Sequence, residues 1–98
     1  MSVPAVYLPQ AEDDVAAAHA AYEQQQAGLG DRFVEELRDQ VDRIRLNPQL
    51  YGVSHRDIRG APLHRFPYVV YYRPEPTRVL VIAVQHGRRS SRGWQGQA

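Results

Sequence analysis

Apolar positions divide the chain into two parts with different periods. Between Gln10 and Gln26, Val15, Ala18, His19 and Tyr22 recur three or four residues apart in a stretch rich in Ala, Glu and Gln and free of Gly and Pro, which predicts a helix. Pro9 suits its first turn, where a missing N–H costs nothing, and Glu12, Asp13 and Asp14 complement the helix dipole there. Gly28 is its stop signal. A second helix is predicted over Asp31 to Leu46. Phe33, Val34, Leu37, Val41 and Ile44 form its apolar face, and Glu35, Glu36, Arg38, Asp39 and Asp42 its wet one. Asn47-Pro48 ends it, because the residue before a proline resists the helical region. The short link around Gly28 predicts an antiparallel helical hairpin.

Elsewhere the pattern is that of strands. Val3 to Leu8, closed by Pro9, predicts a first strand, with Pro4 marking its start or an edge position. Ala61 to Phe66, reaching back towards Arg56, predicts a second. Tyr68 to Arg73 predicts a third, Pro74-Glu75-Pro76-Thr77 a turn, and Arg78 to Gln85 a fourth strand. The last is apolar at nearly every position and belongs at the centre of a sheet. Along the third, Tyr68, Val70 and Tyr72 face one way and Val69, Tyr71 and Arg73 the other. The expected fold is α+β, one domain over residues 1–98. An N-terminal strand precedes a helical hairpin packed on one face of a four-stranded, mainly antiparallel sheet. The other face is expected to be partly open and edged with arginine. Residues 88–98 are expected to be a polar tail, mobile alone or ordered by a partner.

Composition narrows the possibilities. The chain has no cysteine, which excludes disulfides and thiolate metal sites. No apolar run approaches the roughly 18 residues of a membrane span, and the first residues lack the basic and apolar regions of a secretion signal. A cytoplasmic protein is expected, with no cofactor, no metal and no membrane contact. Every basic side chain is arginine, which clamps phosphates and carboxylates with paired bonds but does not act as a general base. The net charge of +1 conceals an asymmetry. Residues 1–47 carry four Arg against nine Asp and Glu, a balance of −5; residues 48–98 carry eight Arg against Asp57 and Glu75, a balance of +6. A basic half predicts an anionic partner, either nucleic acid or an acidic protein surface.

Two segments are distinctive. One is Arg65-Phe66-Pro67-Tyr68-Val69-Val70-Tyr71-Tyr72-Arg73. The other is Val81-Ile82-Ala83-Val84-Gln85-His86-Gly87-Arg88-Arg89, followed by Trp94. With Gly28-Leu29-Gly30-Asp31-Arg32-Phe33 and Asn47-Pro48 before Tyr51, they resemble the RelE/ParE toxin superfamily over about Val6 to Trp94. The resemblance implies a compact αβ toxin causing growth arrest, held silent in a hetero-oligomer with a small antitoxin encoded beside it. It also implies one of two activities. ParE-like members poison DNA gyrase without being nucleases; RelE-like members cut messenger RNA on the ribosome. The strand motif is closer to the ParE-like branch. A degenerate toxin that only binds its antitoxin is a third reading.

These readings select different residues. A metal-free ribonuclease needs a proton acceptor, a proton donor and cations for the phosphorane charge. Arg65, Arg73 and Arg88 are candidates to hold the phosphate, and His86 to move a proton. His64 is the second histidine weighed for that step, with a surface role as its ordinary explanation. The resemblance sets a tyrosine near the position of Trp94 in RelE-like enzymes, and lysines that this chain lacks. Indole is only a weak N–H donor, so this departure counts against the nuclease. For contact with a target or antitoxin, the candidates are Arg65, Tyr71, Arg73, Arg88, Arg89, Arg92 and Trp94, since Arg and aromatic residues dominate binding hot spots.

Overall fold

The computed structural model describes residues 2–87. A short strand, β1 (Ala5–Tyr7), leads into helix α1 (Pro9–Gln25) and helix α2 (Leu29–Leu46). Four strands follow: β2 (Val53–His55), β3 (Ile58–Pro62), β4 (Tyr68–Glu75) and β5 (Arg78–His86). They form one sheet in the order β1-β5-β4-β3-β2, antiparallel except that β1 runs parallel to β5. The α+β arrangement is the one the sequence predicts, but with five strands rather than four. The extra strand, β2, is three residues long and mostly exposed, too short and too polar to carry a period of its own.

Two other boundaries move. The expected strand Ala61 to Phe66 ends at Pro62, and residues 63–67 form the loop into β4. There Leu63 N–H donates to the Tyr68 carbonyl at 2.9 Å, and Tyr68 N–H to that of Phe66 at 2.8 Å. Pro74 and Glu75, expected in a turn, belong to β4, which leaves Pro76-Thr77 as a two-residue connection between Glu75 and Arg78. The proline is tolerated because Val79, opposite it, spends its amide on the Pro4 carbonyl beyond β1 at 2.9 Å.

The helices cover one face of the sheet. Phe33, Leu37, Val41 and Ile44 of α2 meet Val70, Tyr72, Val79, Val81 and Val84 of the sheet in one buried cluster. Helix α1 contributes Ala11 and Ala18, whose small side chains admit its backbone close to β5. At one end of this layer, aromatic rings interlock. Tyr22 and Phe66 lie 4.9 Å apart between centroids, Phe33 and Tyr68 5.1 Å, and Phe33 and Phe66 5.4 Å, all in the edge-to-face geometry that ring quadrupoles favour. Gln40, on the apolar side of α2, is 1% exposed and fully employed. Its amide donates to the Pro62 carbonyl at 2.8 Å, and its oxygen accepts from Tyr51 Oη and Arg43 Nη1, each at 3.1 Å.

The second face departs from expectation. An irregularity opposite Tyr71 and Tyr72 inserts one extra residue into β5, so Ile82 and Ala83 both point away from the helices. They join Ile58, Tyr71 and Leu80 in a second cluster, 0–7% exposed, with Leu8 and Val69 packed against it. The centre of this face is apolar and buried where a half-bare surface was expected, and Arg73 and Arg78 stand on it at the β4–β5 turn. The expected tail from residue 88 lies outside the described residues.

Carboxylates of the acidic half secure the irregular joints. Gly28, at φ +88°, turns the chain from α1 into α2 in a conformation that side chains resist. Helix α2 has no side-chain cap of its own. Instead Glu23 of α1 accepts from the amides of Gly28 at 3.1 Å, Gly30 at 2.7 Å and Asp31 at 3.2 Å. Glu36 accepts from the amides of His64 at 2.6 Å and Arg65 at 3.1 Å, fixing the β3–β4 loop to α2. Asp14 accepts from the amide of Val84 at 2.9 Å, beyond the last β5 residue that β1 pairs.

Two substitutions test this joint. A Cβ at Gly30 would stand 2.5 Å from the His19 carbonyl oxygen and 2.8 Å from Glu23 Cγ, so the helices must part. Gly30→Ala is expected to destabilise the chain by about 1–3 kcal/mol, as for other overpacked sites, which thermal melting of the free protein reads directly. Glu23→Gln tests the cap by pH. The amides, Gly28 foremost, hold the Glu23 carboxyl below its ordinary value. A depressed folded pKa contributes stability that is fully present above the unfolded pKa and is lost as pH falls through the folded one. The variant should therefore melt below the parent at pH 7. The gap should begin to close as the pH falls below the ordinary glutamate value of about 4.3 and vanish only below the depressed folded value, where the carboxyl is neutral.

Candidate functional site

The expected site residues fall at separate places. Arg65 is exposed in the β3–β4 loop, beside the wet face of α2. It lines a groove of about 590 Å³ together with Arg32, Arg43, Glu35, Glu36 and Asp39, so its charge meets charges of both signs. Arg73 is near the other end of β4. Tyr68, the strand residue nearest Arg65, is five positions from it, about 17 Å along a strand. Arg73 Nη2 donates to Glu75 at 3.2 Å, and Arg78 donates to the other oxygen of the same carboxylate. Those two bonds, Arg78 first, hold the Glu75 carboxyl below its ordinary range. Arg73 thus belongs to an Arg–Glu–Arg group at the β4–β5 turn.

His86 sits opposite Tyr68 in the ladder, with its ring 5.5 Å from the tyrosine ring in an edge-to-face contact. It borders the aromatic end of the helix-side core, at the end of β4 that the loop carrying Arg65 enters and away from the end that carries Arg73. Tyr71 is on the face away from the helices, as its alternation with Tyr72 requires, but it is 7% exposed. Its ring lies over Gly60, 3.4 Å from where a Cβ would be, and burial pushes its phenol pKa up. An aromatic so covered offers no open surface for stacking a base. His64 is exposed, and its amide is held by Glu36. Arg88, Arg89, Arg92 and Trp94 lie outside the described residues.

Among the described residues, the arginines of the basic half do not gather into one basic face. Arg59 turns to the helix side, donating from Nη1 to the Tyr51 carbonyl and from Nη2 to Gln49 Oε1, each at 2.6 Å. Arg56 is exposed, Arg65 lies by α2, and Arg73 and Arg78 share Glu75. Among the described residues, His19, Glu23 and Asp31 have ligand-type atoms within 4.8 Å of one another. All three already have protein partners: His19 Nε2 lies 2.9 Å from Asp31, and both Glu23 oxygens accept from α2 amides.

One concave surface has the make-up of a docking site. It is a groove of about 550 Å³ between α1 and α2, with Val15, Ala16, Val34 and Leu37 on its walls and Tyr7 and Arg38 at one end. Leu37 is buried, whereas Val15 and Val34 are only partly so and Ala16 is exposed. The sequence assigns Val15 and Val34 to the buried stripe. Its legible signal was an apolar surface on the hairpin wider than one sheet contact needs. Burial pushes the Tyr7 phenol pKa up, with Arg38 opposing that shift.

No helix among the described residues is long and apolar enough to cross a membrane. A family model described as the ParE toxin of the type II toxin–antitoxin system, parDE, matches residues 5–91. No curated protein matches the sequence. Among solved structures, the chain is similar to one titled "Chromosomal ParDE TA system from P. aeruginosa". The TM-score is 0.77 at 16% identity, over 87% of this chain and 96% of that one. At that identity the likeness speaks for the fold, a helical hairpin on a mixed sheet. The family match spans nearly every described element, from the first residue of β1 to beyond the end of β5. This chain belongs to the ParE toxin family of type II toxin–antitoxin systems.

Proposed function

We propose that the chain arrests growth by binding DNA gyrase, without cutting nucleic acid, and that an antitoxin silences it by direct contact. The observation that carries the choice between activities is the separation of Arg65 and His86 from Arg73. General acid–base cleavage needs its proton donor, acceptor and cations around one phosphate. Here two of the three described candidates lie at one end of β4 and the third is engaged with Glu75 at the other. Such an arrangement suits contact along a surface rather than chemistry at a point. The run Arg88, Arg89 and Arg92, with Trp94, supplies the residue types of a binding hot spot for that contact.

The antitoxin has a seat in the groove between α1 and α2. Its apolar walls match the apolar stripe of an amphipathic segment that folds as it binds. Glu12 and Arg38 at its rim offer charges of both signs for register.

Two experiments test these assignments. Purified chain, released from its antitoxin, is expected to inhibit supercoiling by gyrase in vitro, and brief expression is expected to induce the DNA-damage response before translation falls. Ribosome-dependent cleavage of messenger RNA with gyrase unaffected would overturn the reading. Ala16→Arg places a long charged side chain in the groove at an exposed position. It is expected to weaken antitoxin binding by about tenfold or more, equivalent to about 1.4 kcal/mol, while leaving the melting temperature of the free chain unchanged. Equal affinity for parent and variant, measured by calorimetry, removes the groove from the interface.

A further inference from the structure

Among the described strands, β1 and β2 are the outer ones, and their edges are not alike. Pairing of β2 with β3 is irregular between Val53 and His55, and Arg56 follows at φ +52°, devices that turn an edge away from a partner. Strand β1 has neither. It pairs with β5 in unbroken register and carries no charged side chain. Parallel pairing engages alternate residues of such a strand. The Pro4 carbonyl accepts from Val79 N–H, and Leu8 N–H donates to the Val81 carbonyl, each at 2.9 Å, so Val6 between them also turns its backbone polar groups to β5. The N–H and C=O of Val3, Ala5 and Tyr7 therefore point outward. Those of Val3 are taken by α2: its N–H donates to the Arg45 carbonyl at 3.3 Å, and its carbonyl accepts from Arg45 Nε at 2.8 Å. Those of Ala5 and Tyr7 have no such partner among the described residues.

We propose that an extended segment of the antitoxin pairs with this edge, main chain to main chain, as a further strand of the sheet. The inference rests on the antitoxin reading given above. A groove of about 390 Å³ runs beside the edge, between β1 and Arg38, Asp42 and Arg45 of α2. An added strand lies about 4.8 Å from its neighbour, which places it along that groove. Tyr7 and Arg38 also line the groove between α1 and α2, so the two concave surfaces adjoin and a chain leaving the first enters the second directly. That continuity selects the partner seated between the helices as the occupant. Arg45 is already bonded to Asp42, which leaves the exposed Arg38, at the junction of the grooves, for a carboxylate of the incoming segment. On the other side of the sheet Val6 is 40% exposed beside the same edge and offers an apolar neighbour to the added strand. With β1 only three residues long, the pairing suits one short segment. Main-chain bonds supply the hold, and Arg38 with the groove supplies the selectivity.

Amide exchange, read by NMR on the labelled full chain alone and in complex with the small protein encoded beside it, tests the pairing. In the free chain the Ala5 and Tyr7 amides should exchange faster than those of Val6 and Leu8, which bond to β5. In the complex they should slow by about tenfold or more. Ala5→Pro deletes one outward N–H and no bond to β5. It should weaken binding of the same protein by about tenfold with little change in the melting temperature of the free chain; the exchange of Tyr7 decides the matter even where this variant does not fold. Equal exchange of both amides in the free chain and in a complex that Ala16→Arg still weakens overturns the edge pairing and leaves the groove between the helices standing. So does parent affinity in a folded Ala5→Pro chain. Slowed exchange in a complex that Ala16→Arg does not weaken supports the edge and removes that groove. Slow exchange in the free chain that is lost on dilution assigns the edge to a second copy and overturns the proposal, and failure of the two proteins to associate overturns both readings.

Discussion

Between Val79 and Val84 no side chain is more than 5% exposed, and the strand that carries them has parallel β1 on one edge and antiparallel β4 on the other. Each fully buried Val, Leu or Ile is worth about 1.5–3 kcal/mol, so this strand alone accounts for a sum comparable to the whole net stability of a small domain, about 5–15 kcal/mol. The other elements take their positions from it. Helix α1 lies against it through alanines, α2 packs its apolar stripe over Val79, Val81 and Val84, and the extra residue at Ile82 and Ala83 turns two successive side chains to the second face. One strand thereby supplies the floor of one core and the centre of another.

The acidic first half serves this architecture locally. Three carboxylates on the helices each accept from backbone amides at a place where regular pairing fails: Glu23 at the start of α2, Glu36 at the β3–β4 loop, and Asp14 beside the shifted part of β5. A half-buried amide left without an acceptor is costly, so Glu23 and Asp14 offset a penalty that the fold's irregularities create, whereas Glu36, whose two amide bonds are exposed, ties the loop to α2. Arg59, Arg73 and Arg78 of the second half are likewise drawn into local roles at Gln49, Tyr51 and Glu75. Among the described residues, opposite charge on the two halves of the sequence therefore does not become opposite charge on two faces.

Both helices, the hairpin between them and three of the strands were legible because periodicity survives folding. Phe33, Leu37, Val41 and Ile44 announce a helix face whatever it packs on, and an apolar run such as Val79 to Val84 announces a central strand. What stayed hidden depends on partners distant in sequence. Pro74 continues β4 because Val79 bonds to Pro4, and Gln40 is buried because Tyr51, Arg43 and Pro62 converge on it. The site was less legible than the fold. Motif residues such as Arg65, Tyr71, Arg73 and His86 share two neighbouring stretches of sequence, but a strand eight residues long separates its two ends more than it joins them. The groove between the helices carries no motif, because a concave surface is set by how far Ala16, Val15 and Val34 stand apart.

The pairing of Ala5 with Val79 joins the first strand to the last across most of the chain. Contacts of such long sequence separation form late and slowly. During synthesis, the helical hairpin can collapse as soon as it emerges, but β1 has no partner until β5 has left the ribosome. The nascent chain therefore cannot assume its active architecture while most of it is being made. That interval is a built-in delay during which a ready-made binding protein can reach the helices before the sheet is complete.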